Sequence, residues 1–151
     1  MTWLVVAATA VVALATVVVV TIRRRLVVVT VVGVSMLPTY QPGDRVIVRR
    51  ARLRRARPGD VVVIEEPSGD GWTSRRRAAV GAGSWMIKRL VAVPGDPRPA
   101  ASLPPTTTGP VVPPGAFVVL GDNLPMSSDS RMLGYVPAGR LLGIVTRGIR
   151  P

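Results

Sequence analysis

The tripeptide Pro-Gly-Asp occurs three times, at Pro42–Asp44, Pro58–Asp60 and Pro94–Asp96. Each copy borders a run rich in valine, leucine or isoleucine. Proline presets φ and glycine tolerates φ > 0, so each copy reads as a turn rather than as part of an internal repeat. Valine is β-branched and fits a pleated surface better than a helix. The spacing therefore predicts short strands at 26–34, 44–50, 61–66, 84–93, 116–123 and 139–150. Many short strands between Gly/Pro turns make a mainly β chain, an antiparallel barrel or coiled sheet. No stretch after residue 25 has helical periodicity. Ser68–Ser84 is polar and glycine-rich and reads as a mobile loop, and Pro97–Gly115 is too rich in proline to be regular.

The N-terminus is written differently. Trp3 to Ile22 carries no charge, and its polar side chains besides Trp3 are three threonines. As a helix it would reach roughly 30 Å, the thickness of a bilayer's hydrocarbon core. Trp3 at one end and Arg23, Arg24 and Arg25 at the other suit two membrane interfaces. A cleaved secretory signal would carry its positive charge before the apolar run, so an uncleaved N-terminal transmembrane anchor is expected over 1–25. Charge alone would leave the rest of the chain on the cytoplasmic side.

Histidine and cysteine are both absent from the 151 residues. Disulfides, thiolate chemistry and the usual zinc ligands and general base are thereby excluded. No cofactor or metal is expected. The net charge is +12, and of the 20 basic residues only one is lysine. That excess reads either as a bias of the whole composition or as attraction to anionic lipid headgroups. Nucleic acid is not expected as a partner, because the runs Arg49–Arg57 and Arg75–Arg77 have no interleaved aromatics for base stacking.

Chemistry points to Ser35, at the end of the first valine run in "VVGVSMLPT". Gly33 permits close backbone approach, Met36 adds an apolar neighbour and Pro38 stiffens the exit. A serine at a sharp strand exit can be nucleophile and backbone oxyanion donor together. Its base must be a carboxylate or the single lysine, Lys88, in "SWMIKRLVAVPGD". On an alternating strand Lys88 shares a face with Met86 and Leu90. An apolar face disfavours the ammonium and lowers the lysine pKa, whereas an arginine stays charged and cannot act as a base. A solvated, snorkelling lysine is the alternative. In "GDNLPMSSDSRMLGYVP", Asp129 and Arg131 are placed to pair and fix the loop, and a serine hydroxyl there to steady the amine.

Taken together, "SMLPT", "GDRVIV", "KRLVAVPGD" and "GDNLPMSSDSRMLG" resemble, in order, the conserved boxes of type I signal peptidases, membrane-anchored Ser–Lys proteases. The likeness spans Gly33 to Pro137. It implies Ser35 as nucleophile, Lys88 as general base, Ser127 as the hydroxyl that hydrogen-bonds the lysine, and Asp129 with Arg131 as a structural ion pair. Gly33 falls where some relatives carry a second, side-chain oxyanion donor and many Gram-positive members do not. The oxyanion would then rest on backbone N–H groups, chiefly that of Ser35. The resemblance further implies a signal-peptidase-type catalytic domain over 26–151 facing away from the cytoplasm. Its partners would be exported preproteins with A-x-A cleavage sites and the lipid bilayer.

Two departures stand out. Leu124 follows Asn123 where an arginine is common, and Asp96 to Gly121 holds only the proline-rich stretch where better-known relatives insert a second β-domain. The compact core keeps open a peptidase dedicated to the leader of one precursor. A non-catalytic, membrane-anchored basic β-module is a remoter alternative, and a self-cleaving repressor lacks support because no helix-turn-helix precedes the β region.

Overall fold

The structure is a computed structural model that describes residues 2–67, 72 and 85–149. The expected loop at Ser68–Ser84, with Arg75–Arg77, lies outside the described residues apart from Trp72. Seven strands follow a first helix, α1 (Thr2–Arg25). They are β1 (Leu26–Thr30), β2 (Arg45–Arg50), β3 (Val61–Glu65), β4 (Trp85–Ala92), β5 (Ala116–Leu120), β6 (Val136–Pro137) and β7 (Leu141–Ile149). All neighbours are antiparallel, in the order β1-β2-β7-β3-β4-β5-β6. The sheet is mainly β as expected, and open rather than closed, with β1 and β6 at its two edges.

The three Pro-Gly-Asp turns are built alike. Gly43, Gly59 and Gly95 have φ of +96°, +96° and +90°, a region that only glycine enters cheaply. Each aspartate donates its backbone N–H to the carbonyl three residues back, at 3.0–3.1 Å. Its carboxylate accepts the N–H of that same residue: Gln41 to Asp44 at 2.9 Å, Arg57 to Asp60 at 2.8 Å, Val93 to Asp96 at 2.9 Å.

Register shifts interrupt the β2–β7, β3–β7 and β4–β5 ladders. Such bulges raise the local twist, and here they coil the sheet so that both faces are covered. Val62, Ile64, Leu90, Phe117, Val119 and Leu141 fill one side. Met36, Val46, Val48, Val63, Ile87 and Leu142 fill the other. The central strand β3 is consequently apolar without alternation over Val61–Ile64.

Three expectations need amendment. The first strand ends at Thr30, not Val34, because Gly33 takes φ +82° and the chain turns through Val34–Thr39. Among the described residues one α-helical turn, α2 (Ser130–Leu133), follows residue 25. It is set by Asp129, whose carboxylate caps the Arg131 N–H, and four residues are too few to leave a periodic pattern. The proline-rich stretch is irregular as expected apart from a 3-10 turn at Ala100–Ser102 and one bridge between Pro97 and Val111. It still packs, since Leu103 and Val112 are buried against Ala92 and Val118.

The α1 backbone is helical for 24 residues. Among the described residues no helix is long and apolar enough to cross a membrane, and the side chains at positions 4, 5 and 8 of α1 lie outside the description.

Gly143 sets how closely β7 lies against β2. A Cβ there would sit 2.8 Å from the Arg49 carbonyl carbon and 2.9 Å from Arg50 Cα, both backbone atoms. Gly143→Ala is expected to lower unfolding free energy by about 1–3 kcal/mol in urea titrations, the cost of overpacking. An unchanged midpoint would show that β2 is free to move.

Candidate active site

Three segments converge on Ser35. The first is the turn after β1 that carries it. The second is β4, which presents Lys88. The third is the stretch after β5, Gly121 to Arg131. Lys88 pairs in register with fully buried Val62 and shares its face with Leu90, the alternation that the sequence predicts. Only 3% of Lys88 is exposed. Its Nζ is hydrogen-bonded to Ser35 Oγ at 2.9 Å. Burial lowers the Lys88 pKa from its ordinary 10.5, and the carboxylates of Asp129 and Glu66 pull it partly back.

The amine is thus held between opposing forces, and the fate of Asp129 decides how strongly one of them acts. Asp129 is fully buried. Arg131 grips its carboxylate through Nε at 2.9 Å and a terminal nitrogen at 3.0 Å. The Gly121 and Arg131 N–H groups add bonds at 3.0 and 3.2 Å. Burial raises the Asp129 pKa, but these donors, with Ser127 nearby, outweigh it and hold the carboxyl below its ordinary value. Arg131 also donates to the Leu124 and Ser127 carbonyls, at 2.6 and 3.3 Å, so the pair fixes the whole loop.

Ser127 is buried in this loop, but its hydroxyl has no partner at hydrogen-bonding geometry. It does not bond Lys88 here. It lies close enough to Asp129 to help hold that carboxyl down, a weaker contact than the bonds from Arg131. Gly33 owes its identity to φ +82°, and a Cβ there would meet nothing within 4 Å. Close approach occurs instead at Gly121, where a Cβ would lie 2.5 Å from Ser127 Cβ and 2.6 Å from the Ser35 carbonyl oxygen. Met36 is buried in the core beneath the turn.

A second ion pair was not foreseen from the sequence. Arg89, next to Lys88 on β4 and so facing the other way, grips Asp122 through Nε at 2.7 Å and a terminal nitrogen at 2.6 Å. Thr39 donates to the same carboxylate. Asn123 donates its side-chain amide to the Val34 carbonyl at 3.1 Å and its backbone N–H to the Ser35 carbonyl at 2.9 Å. Gly121-Asp122-Asn123, which reads as a plain turn, is a clamp on the serine turn. The only signal was the polar tripeptide directly after an apolar strand.

A groove of about 400 Å³ opens at Ser35 and Lys88, with walls from Val32, Met36, Trp85, Met86 and Ile87 and one acidic residue, Glu66. Among the described residues the Ser35 N–H donates to no acceptor, which leaves it for a ligand oxygen. The arrangement offers a hydroxyl, an amine with a lowered pKa and a free amide donor in a groove with several apolar side chains in its wall. No group of His, Cys, Asp and Glu that could hold a metal exists among the described residues.

Comparison with known proteins gives a consistent result. The model of the family described as "Signal peptidase, peptidase S26" matches residues 1–97 and 98–147. A Synechocystis protein named "Probable signal peptidase I-1" is 30% identical over 129 residues, 72% of this chain and 63% of its own length. "Signal peptidase I" of Leptolyngbya laminosa is 30% identical over 129 residues, 72% of this chain and 61% of that protein. "Mitochondrial inner membrane protease subunit 1" of Schizosaccharomyces pombe is 32% identical over 125 residues, 79% of this chain and 70% of that protein. The chain therefore spans about three fifths of the length of the bacterial relatives named.

Because the Asp129 pKa is lowered, ionised Asp129 stabilises the fold above its ordinary 3.8, and that contribution is lost as pH falls through its folded value. Asp129→Asn should lose about 1–3 kcal/mol at neutral pH and should show a shallower loss of thermal midpoint below about pH 4. Superimposable acid limbs for the two proteins would contradict this account of Asp129.

Proposed function

The chain belongs to the signal peptidase, peptidase S26 family, and on that premise we propose that it is a serine endopeptidase that removes leader peptides from exported preproteins, with Ser35 as nucleophile and Lys88 as general base. One observation carries the proposal: a buried amine lies 2.9 Å from an otherwise ordinary hydroxyl. Neutral Lys88 accepts the Ser35 proton as Oγ attacks the scissile carbonyl carbon. The Ser35 N–H is the backbone donor available to the resulting oxyanion. The ammonium passes its proton to the departing amine nitrogen, which leaves an ester on Ser35. Lys88 then takes a proton from water, the hydroxide attacks the ester, and that proton returns to Oγ. Ser127, Asp129 and Arg131 hold the loop behind the lysine, Gly33 lets the serine turn form, and Met36 roots it in the core.

The substrate lies extended in the groove, and its small residues before the cleavage site face the apolar wall. The domain's anchor is α1. Its large apolar residues outside positions 4, 5 and 8 are exposed, with Val11, Val12, Leu14 and Val17 each above 60%. A helix with no polar face and no protein cover is stable only in an apolar surround. Thr9 and Thr16 donate their hydroxyls to the Val6 and Val12 carbonyls, at 2.9 and 2.8 Å, which satisfies them without water. The catalytic domain faces away from the cytoplasm, where exported chains emerge. A narrower activity on one precursor is favoured by a single feature: between β4 and β5 the chain builds one bridge and no second sheet.

Incubation of the purified full chain with a leader-bearing precursor should yield a product whose N-terminus maps after an A-x-A site. Ser35→Ala and Lys88→Ala should each lower the rate by roughly 10⁴–10⁶-fold. Processing that survives both changes would defeat the proposal. A single precursor processed from a varied panel would favour the dedicated enzyme.

The pH profile is a separate test. Lys88 acts when neutral, and burial lowers its pKa below 10.5. The kcat/KM should therefore rise with pH through that lowered value and level off well before pH 10.5. A rate still climbing tenfold per pH unit up to pH 10 would mean an ordinary, solvated lysine.

A further inference from the structure

A second concavity is larger than the groove at Ser35. It is a cleft of about 1240 Å³ lined by Arg25, Arg49, Arg50, Arg52, Arg54 and Arg55, with no acidic and no aromatic residue in its wall. None of these six guanidinium groups has an ion-pair partner among the described residues. Their backbone is firmly placed. Leu53 is buried, so the 3-10 turn Leu53–Arg55 points inward at one position and exposes Arg52, Arg54 and Arg55. The Arg55 N–H donates to Arg52 at 3.0 Å and the Ala56 N–H to Leu53 at 2.9 Å. The register Leu26–Arg49 sets the end of α1 against the end of β2, which brings Arg25 to the rim of the same cleft.

We infer that this cleft binds the phosphates of anionic phospholipids in the leaflet where α1 leaves the bilayer. The inference rests on the anchor reading of α1 given above. Six like charges converging on one concavity repel one another unless an anion fills it. Guanidinium forks suit phosphate oxygens bidentately. The level of the cleft is that of the helix's exit, where headgroup phosphates lie. A wall without aromatics gives unstacked bases no platform, which disfavours a nucleic acid. Bound headgroups would also fix the tilt of the domain, and with it the height of Ser35 above the membrane.

The test uses the full chain in neutral-detergent micelles at low salt, with native mass spectrometry counting retained dihexanoyl phosphatidylglycerol or dihexanoyl phosphatidylcholine. Phosphatidylglycerol should be preferred. Arg52→Gln with Arg54→Gln should weaken its binding about tenfold or more, since each arginine near an anionic surface contributes about fivefold. Arg45→Gln with Arg147→Gln, the same charge change outside the cleft, should leave binding within about twofold. Near-UV circular dichroism checks the fold, and Arg54→Gln alone is read if the double variant unfolds. Equal loss in both double variants would reduce the effect to net charge and overturn the inference. So would the absence of a preference over phosphatidylcholine, or displacement of the lipid by inorganic phosphate or a single-stranded oligonucleotide at equal concentration. Ser35→Ala should bind lipid normally, so a failed protease reading leaves this result untouched. Extraction of the chain by alkaline carbonate would overturn the anchor and with it the placement of the cleft at the leaflet, whereas lost lipid preference in a carbonate-resistant chain would overturn the cleft alone.

Discussion

The site depends on burying one amine, Lys88, beside carboxylates that favour its charged form. Two carboxylates act on Lys88, those of Asp129 and Glu66. A bare carboxylate within a few ångströms of a buried amine would hold the proton on nitrogen. Arg131 saturates Asp129 and Arg89 saturates Asp122, each with two bonds of 2.6–3.0 Å. Burial is the larger influence on Lys88, ahead of Asp129 and Glu66. Glu66 is the exposed exception at the groove wall, where water screens it.

The same two ion pairs are mechanical. Asp122, Asn123 and Gly121 hold the serine turn from one side through Thr39, through the Val34 and Ser35 carbonyls, and through an absent Cβ. Asp129 and Arg131 hold the loop from the other. A hydrogen bond 2.9 Å long between residues 53 apart in sequence needs both backbones fixed to a fraction of an ångström. Neither serine nor lysine supplies that rigidity itself.

Scarcity made the contact between Ser35 and Lys88 legible. With no histidine and one lysine in the chain, few pairings were left for a nucleophilic serine, and the Pro-Gly-Asp turns marked where two strands begin and one ends. Strand order was not legible. That β7, last in sequence, lies between β2 and β3 follows from packing among distant segments, which short-range patterns do not encode. Arg89 was hidden for the opposite reason to Lys88: it is one of nineteen arginines, and its partner Asp122 lies in a loop 33 residues on. Ser127 shows the limit of likeness, since its place in the motif implies a bond to the lysine that the free chain does not make.

The arginines after α1 pose a question that motif and fold leave open. Charge following an anchor ordinarily keeps the next segment in the cytoplasm. That rule concerns short loops, and long domains cross largely regardless of charge. The segment after α1 is a folded sheet of seven strands, so Arg23 to Arg25 bear only weakly on its side of the membrane. On the proposed anchor reading of α1, what they bear on is the membrane surface. Arg25 joins a cleft whose other five arginines come from β2 and the turn after it, more than twenty residues on. A general compositional bias would scatter such charges over the surface. Convergence of two separate segments on one concavity requires the register Leu26–Arg49, and that register is fixed by the same β1–β2 pairing that precedes the serine turn.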